Sequence, residues 1–241
     1  MRVVVPRNET PYGEPDRYQG RRMMPVDLII LGAGGSSREI LGAVEDINRR
    51  EPRWRVLGFL DDDPALQGKS VDGLPVLGPM AAAKEYTAQV IAGVASWRRL
   101  GARREIVTRL GLPRERYATV IHPSASINSR VAVGAGTAIL QNVVITSGSV
   151  VGEHVLISQN VTMAHDDVID DFVTIASAAI ITGGVRLRAG CYLGAGCAIM
   201  NGVTVNESAL VGIGAVVIMD VPAGVTVSGY PAPSIPQMKR P

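Results

Sequence analysis

Aliphatic residues recur at every sixth position through the C-terminal half of the chain. Counting from Ile121 gives Ile127, Val133, Ile139, Ile145, Val151, Ile157, Met163, Ile169 and Ile175. The series runs on through Ile181, Leu187, Leu193, Ile199, Val205, Val211 and Val217, seventeen positions without an insertion. Four residues after these stand Val131, Thr137, Val143, Ser149, Val155, Val161, Val173, Ala179, Val185, Cys191 and Cys197, small or β-branched almost throughout. A helix repeats at 3.6 residues and a strand at 2; six fits neither and marks a solenoid of short strands and tight turns. One large aliphatic points into a prism, the small residue fills a tighter inward position, and three units close a triangular coil of eighteen residues. Gly134 and Gly152 lie eighteen apart, as do Gly194 and Gly212, so side identity persists from coil to coil. Seventeen units make between five and six coils, a stack of about 27 Å.

The preceding stretch has a different texture. Asp27 to Leu31 is a short apolar run of the kind buried in a parallel sheet, followed by Gly32-Ala33-Gly34-Gly35. A helical pattern opens at Ser36, with Ile40, Leu41, Val44 and Ile47 on one face. Val56–Leu60 reads as a second strand, Val90–Val94 as a third, and Arg98 to Leu110 as a second helix closed by Gly111. Such alternation predicts a small α/β, Rossmann-like domain over residues 25–118, ahead of the solenoid over 119–241, whose hexad repeat resembles that of left-handed parallel β-helices. Residues 1–24 carry Arg and Pro without an apolar face and read as a flexible tail.

Composition narrows the function. With 24 Lys+Arg against 22 Asp+Glu the net charge is +2, which gives no basic footprint for nucleic acid. Two cysteines cannot build a disulfide framework; both occupy inward hexad positions and read as core filler. No apolar run reaches bilayer length and no signal sequence opens the chain, so a cytoplasmic protein without membrane contact is expected.

Several motifs in order resemble one family. These are Leu31-Gly32-Ala33-Gly34-Gly35, Gly58-Phe59-Leu60-Asp61-Asp62-Asp63, Gly73-Leu74-Pro75-Val76-Leu77-Gly78 and Ile121-His122-Pro123. Ala164-His165-Asp166 and Gly229-Tyr230-Pro231-Ala232 complete the set. Together they resemble the bacterial sugar O- and N-acyltransferases related to sialic acid O-acetyltransferase and the UDP-4-amino-sugar N-acetyltransferases, from about Asp27 to the C-terminus. The resemblance implies an acetyl-CoA-dependent enzyme, a homotrimer, that acetylates the amino group of a nucleotide-linked amino-deoxy sugar. O-acetylation of a sialic acid-like sugar is the nearest rival, and a non-catalytic nucleotide-sugar-binding protein is the rival of another class.

His165 falls two residues after inward Met163 and hence on the outer surface. Acyl transfer from a thioester needs a base that works near neutral pH, which imidazole supplies and a carboxylate orients. The resemblance makes His165 the base and Asp166 its orienter, against the ordinary reading of a surface histidine on a turn. Gly183, one coil on, would by the same resemblance donate its amide to the thioester oxygen; as a lone glycine it reads equally as a turn. Thr174, Gly194, Ala195, Gly212 and Ile213 are the implied acetyl-CoA contacts. Gly32, Gly34, Gly35, Ser36, Asp61 and Asp62 are the candidate nucleotide-sugar contacts, since a glycine turn before a helix can cradle phosphates. Ser37 stands where a dinucleotide fingerprint has its third glycine, which favours a mononucleotide sugar over NAD; a plain turn with a solvated acidic loop fits as well. The family commonly has His at Ser36 and Thr174 and Cys at Asp167. The last is an inward position where an unpaired carboxylate is costly. His122, His154 and His165 occupy different hexad positions, so no three-imidazole metal site is expected.

Overall fold

The computed structural model describes residues 24–231 and the backbone of 234–235; the expected N-terminal tail lies outside the described residues except for Met24. Three parallel strands open the fold: β1 (Val26–Leu31) lies between β2 (Trp54–Leu60) and a strand at Gln89–Ala92. Leu28 to Leu31 are fully buried because both sheet faces are covered. Leu28 and Ile30 pack under helix α1 (Gly35–Arg50) with Ile40 and Val44, while Ile29 and Leu31 meet Val90 and Leu110 on the other side.

The second helix, α2, covers only Ala102–Leu110, four residues shorter than its pattern predicts. Ser96 to Ala102 is instead folded into tight turns, with Arg99 N bonded to Ser96 O and Ala102 N to Arg99 O. Gly101 takes the N-cap, and Gly111 closes the helix in the left-handed conformation (φ 55°). The third strand likewise stops at Ala92. At Gly93 the chain passes so close to α1 that a Cβ would strike the Ser37 side chain.

From Val120 the chain winds into a left-handed β-helix of about six turns. Its two-residue strands stack in register every eighteen residues, as in Val144↔Thr162 and Ile145↔Met163. Three faces result, of eight, six and five strands; the eight-stranded one begins at Val120–Ile121 and the six-stranded one at Ser126–Ile127. The five-stranded face begins at Ala132–Val133. Every sixth residue from Gly136 to Gly214 has positive φ, between 54° and 79°, and each marks a corner. Glycine fills half of these positions. Asn142, Asn160 and Asp166 tolerate the conformation, whereas Phe172 and Ala178 are held in it by the stack at a cost of about 1–2 kcal/mol each.

The hexad aliphatics from Ile139 to Val217 are fully buried in one column. The first three depart from the expected pattern: Ile121 is 38% exposed and Ile127 and Val133 only half-buried, because no coil lies beneath them. On the eight-stranded face the outward residues Val120, Ala138 and Leu156 are also buried, packed into the same cluster as Leu28 and Trp54 of the α/β domain.

Arg103 of α2 fastens this junction. Its Nε donates to His154 O (2.8 Å), Nη1 to Val94 O (3.0 Å), and Nη2 to the carbonyls of Phe172 and Val173 and to Thr174 Oγ1 (2.9 Å). Burial pushes its pKa down to about 10, so it remains a cation at neutral pH, neutralised by carbonyl dipoles rather than by a carboxylate. Beside it the His154 ring stacks on Phe172 (5.0 Å) and meets Tyr117 edge-on (4.5 Å). His122 bonds Asp46 of α1 through Nε2 at 2.9 Å. Both histidines are buried.

Burial holds the His154 pKa below its ordinary value. A depressed folded pKa contributes stability that is present above about pH 6.5 and lost as pH falls through the folded value. Thermal melts of wild type and His154→Phe should therefore converge between pH 7.5 and pH 5, the wild type losing more. Parallel curves would show that His154 does not carry this acid sensitivity.

Candidate active site and the pocket at the glycine turn

His165 and Asp166 occupy the corner between strands Thr162–Met163 and Val168–Ile169. The backbone here is pinned from both sides. Ala164 N bonds Ile181 O (2.9 Å), Asp166 N bonds Ser147 O (3.1 Å), and His165 O accepts from Gly184 N (2.8 Å). Asp166 takes the positive-φ corner position (61°), which turns its carboxylate back along the surface. There Oδ2 meets His165 Nδ1 at 2.9 Å, with both side chains largely exposed. With Nδ1–H donating to the carboxylate, Nε2 is left as the acceptor nitrogen.

Two glycines make room for this pair. A Cβ on Gly183 would lie 2.6 Å from His165 Cε1 and 2.7 Å from Nε2, so the ring rests directly on that residue. Gly148, one coil below, leaves the space that the Asp166 carboxylate fills. Sequence reading missed Gly148, although it stands one eighteen-residue period before Asp166. The same corner turns Asp167 inward, fully buried, with Oδ1 accepting from Val185 N at 2.9 Å.

The other expected donor contacts lie elsewhere on the chain. Gly194 and Gly212 stack at the next corner, so close that a Cβ on Gly194 would be 2.7 Å from Gly212 C; Ala195 and the exposed Ile213 follow them. Thr174 departs from expectation most clearly. It is buried on the eight-stranded face beneath α2, and its hydroxyl accepts from Arg103, so it is not presented to the His165 corner.

All six candidate nucleotide-sugar residues line one cavity of about 470 Å³: Gly32, Gly34, Gly35, Ser36, Asp61 and Asp62. An added Cβ on Gly34 or Gly35 meets nothing within 4 Å, because both face the cavity. Helix α1 starts here without a side-chain cap, which leaves first-turn amides open. Asp61 braces the turn, Oδ2 accepting from Ala33 N (2.7 Å) and Oδ1 from Asp63 N (2.9 Å). Asp62 accepts from Met80 N and pairs with Arg109 at 2.6 Å. Partial burial pushes the Asp62 carboxyl upward, but Arg109 and the Met80 amide outweigh it and hold the pKa below the ordinary value. Arg99 and Arg109 add cationic groups to the wall, which the sequence did not single out.

Cys191 and Cys197 are buried thiols whose pKa values burial pushes up, to about 12 for Cys197. Among the described residues no cluster of three His, Cys, Asp or Glu could hold a metal ion, and no helix is long and apolar enough to cross a membrane.

A hexapeptide β-helix behind a small α/β domain is the architecture of an acyltransferase. Residues 27–110 match the PglD N-terminal domain family. The acetyltransferase domain of PglB from Neisseria gonorrhoeae FA1090 is similar over 87% of this chain and 99% of its own, at 28% identity and TM-score 0.76. Its complex with acetyl coenzyme A matches over 88% and 100%, at 27% identity and TM-score 0.78. A point mutant of perosamine N-acetyltransferase from Caulobacter crescentus, in complex with CoA and GDP-perosamine, shares the fold at 24% identity and TM-score 0.77, over 88% and 97%. No curated protein matches the chain. The chain thus carries a PglD-type N-terminal domain ahead of a hexapeptide-repeat β-helix, and over most of its length it is similar to solved bacterial acetyltransferases.

Gly183 tests the geometry of the corner. Its φ is not in the left-handed region, so Gly183→Ala has no conformational penalty, but the new methyl must displace the His165 ring. Turnover should fall about tenfold or more with the melting temperature nearly unchanged. Full turnover would mean that the ring position does not matter.

Proposed function

We propose that the enzyme transfers an acetyl group from acetyl-CoA directly to the amino group of a nucleotide-linked amino-deoxy sugar. The observation that carries this reading is the exposed His165–Asp166 pair resting on Gly183. The similar PglB domain that binds acetyl coenzyme A supports the donor. The choice of an amine rests on the resemblance of the sequence motifs to amino-sugar N-acetyltransferases.

In this reading the acceptor nitrogen attacks the thioester carbonyl carbon while Nε2 of His165 takes its proton. Asp166 fixes the tautomer and supports the imidazolium that forms. The Gly183 amide donates to the tetrahedral oxyanion. The C–S bond then breaks, the imidazolium returns its proton to the departing thiolate, and amide and CoA leave. No covalent acyl-enzyme is invoked, since both cysteines are buried in the prism. The cavity at residues 32–36 holds the nucleotide, with open first-turn amides and Arg99 or Arg109 toward its phosphates.

Gly194, Ala195, Gly212 and Ile213 line the path of the pantetheine arm along a neighbouring prism, because they stand on a different corner from His165. Thr174 is left out of that path. A homotrimer is part of this reading, supported by apolar residues on the outward faces, among them Ile180 at 51% exposed and Val150 at 48%. A stable monomer in sedimentation at micromolar concentration would contradict it.

Thiol release from acetyl-CoA with UDP- and GDP-linked amino sugars tests the reaction, with a sialic acid-like sugar as the hydroxyl control. His165→Ala should lower kcat about 10²-fold with assembly intact, and Asp166→Asn should cost less. Near-normal turnover in the first variant would reject the base. Gly34→Val should raise the acceptor KM and spare that of acetyl-CoA, since its side chain would enter the cavity from a position where an added Cβ meets nothing within 4 Å. An unchanged acceptor KM would place the nucleotide elsewhere.

A further inference from the structure

The inward corner positions carry a hydrogen-bond ladder. Thr137 Oγ1 donates to the carbonyl fifteen residues on, Gly152 O (2.8 Å), and accepts from the amide eighteen on, Val155 N (3.0 Å). Ser149 does the same with Ala164 O (3.3 Å) and Asp167 N (3.2 Å). Asp167 is the next such group in that corner. Its Oδ1 accepts from Val185 N, again eighteen residues on, but its Oδ2 is buried without a partner. The carbonyl fifteen residues on from Asp167 belongs to Thr182. A carboxylate cannot donate to it; a carboxylic acid can. The turn that Asp167 would grip, Thr182–Val185, is the one that carries Gly183 against the His165 ring.

We propose that Asp167 is a positioning residue for acetyl transfer: in its neutral form Oδ2–H donates to Thr182 O while Oδ1 holds Val185 N, clamping the turn that presents Gly183 to His165. The proposal rests on the reading of that corner given above. Burial raises the Asp167 pKa to about 6; the Val185 amide and His165 pull it down, Asp166 pushes it up, and the Gly184 amide pulls it down slightly. Of these, the charged or titratable groups, His165 and Asp166, stand on its own turn. The turn below contributes Ser149, and the turn above contributes the amides of Val185 and Gly184. A folded pKa above the unfolded value of about 3.9 gives stability that is complete below that value and lost as pH rises through about 6.

The test separates this proton from that of His165. In His165→Gln protein labelled with ¹⁵N-glycine, the Gly183 and Gly184 amide signals should still titrate with a midpoint near pH 6. Adding Asp167→Asn should abolish that titration, because an amide side chain makes both bonds at every pH. The melting temperature of Asp167→Asn should gain on wild type between pH 5 and pH 8. With acetyl-CoA and a UDP- or GDP-linked amino sugar at pH 6, Asp167→Ala should lower kcat about tenfold, with both KM values within about twofold. Asp167→Asn should restore most of the rate. Flat glycine signals in His165→Gln, or full turnover in Asp167→Ala, would overturn the proposal. Loss of the base assignment alone would appear instead as normal turnover in His165→Gln, with the glycine titration intact.

Discussion

The eighteen-residue coil is the constraint on which everything else depends. Three corners per coil, each turning on a residue with positive φ, force residues eighteen apart to lie one above another. Whatever occupies a corner is therefore repeated as a column, and chemistry arises where the column breaks its own pattern. At one corner the column runs Gly148, Asp166, Gly184 and Gly202. Only the second of these carries a side chain, and the glycine below supplies the volume for its carboxylate. One position earlier, His165 finds its ring space over Gly183 in the same way. The exposed imidazole is thus held by backbone spacing and the absence of two Cβ atoms, rather than by a packed pocket.

The α/β domain does more than cap the prism. Its hydrophobic cluster continues without interruption into the eight-stranded face through Ala118, Val120 and Leu156. Arg103 is bonded to carbonyls of two successive corners, at His154 and Phe172, and to Val94 in the loop that lines the cavity. A buried cation that lost these carbonyls would be left without compensation, so the junction resists sliding. This fixes the glycine-turn cavity relative to the solenoid, as the proposed two-domain acceptor site requires.

The solenoid was legible because its period is unambiguous: large aliphatics at six-residue spacing have no helical or simple strand interpretation. His165 and Asp166 were legible as a motif, and the glycine turn before α1 as a strand–turn–helix junction. Other features were hidden for physical reasons. Residues 98–101 fit the helical pattern of α2, yet local turns at Ser96 and Gly101 override it. Arg103 does not stand out in the sequence, because nothing local reveals that a distant corner offers it carbonyls. Thr174 was expected near the donor by resemblance, but it faces the domain junction, where Arg103 takes its hydroxyl. The exposure of Ile121 belongs to the end of a repeat, which periodicity alone does not distinguish from its middle.

The central claim is that transfer takes place at the His165 corner while the acceptor's nucleotide rests at residues 32–36. A crystal structure with a bisubstrate analogue, acetyl-CoA joined through its acetyl carbon to the nitrogen of a nucleotide-linked amino sugar, tests it most directly. That nitrogen should lie about 3 Å from Nε2 of His165, with the carbonyl oxygen on the Gly183 amide and the phosphates at the start of α1. A junction nitrogen seated at the Gly194–Gly212 corner, away from any histidine, would contradict it.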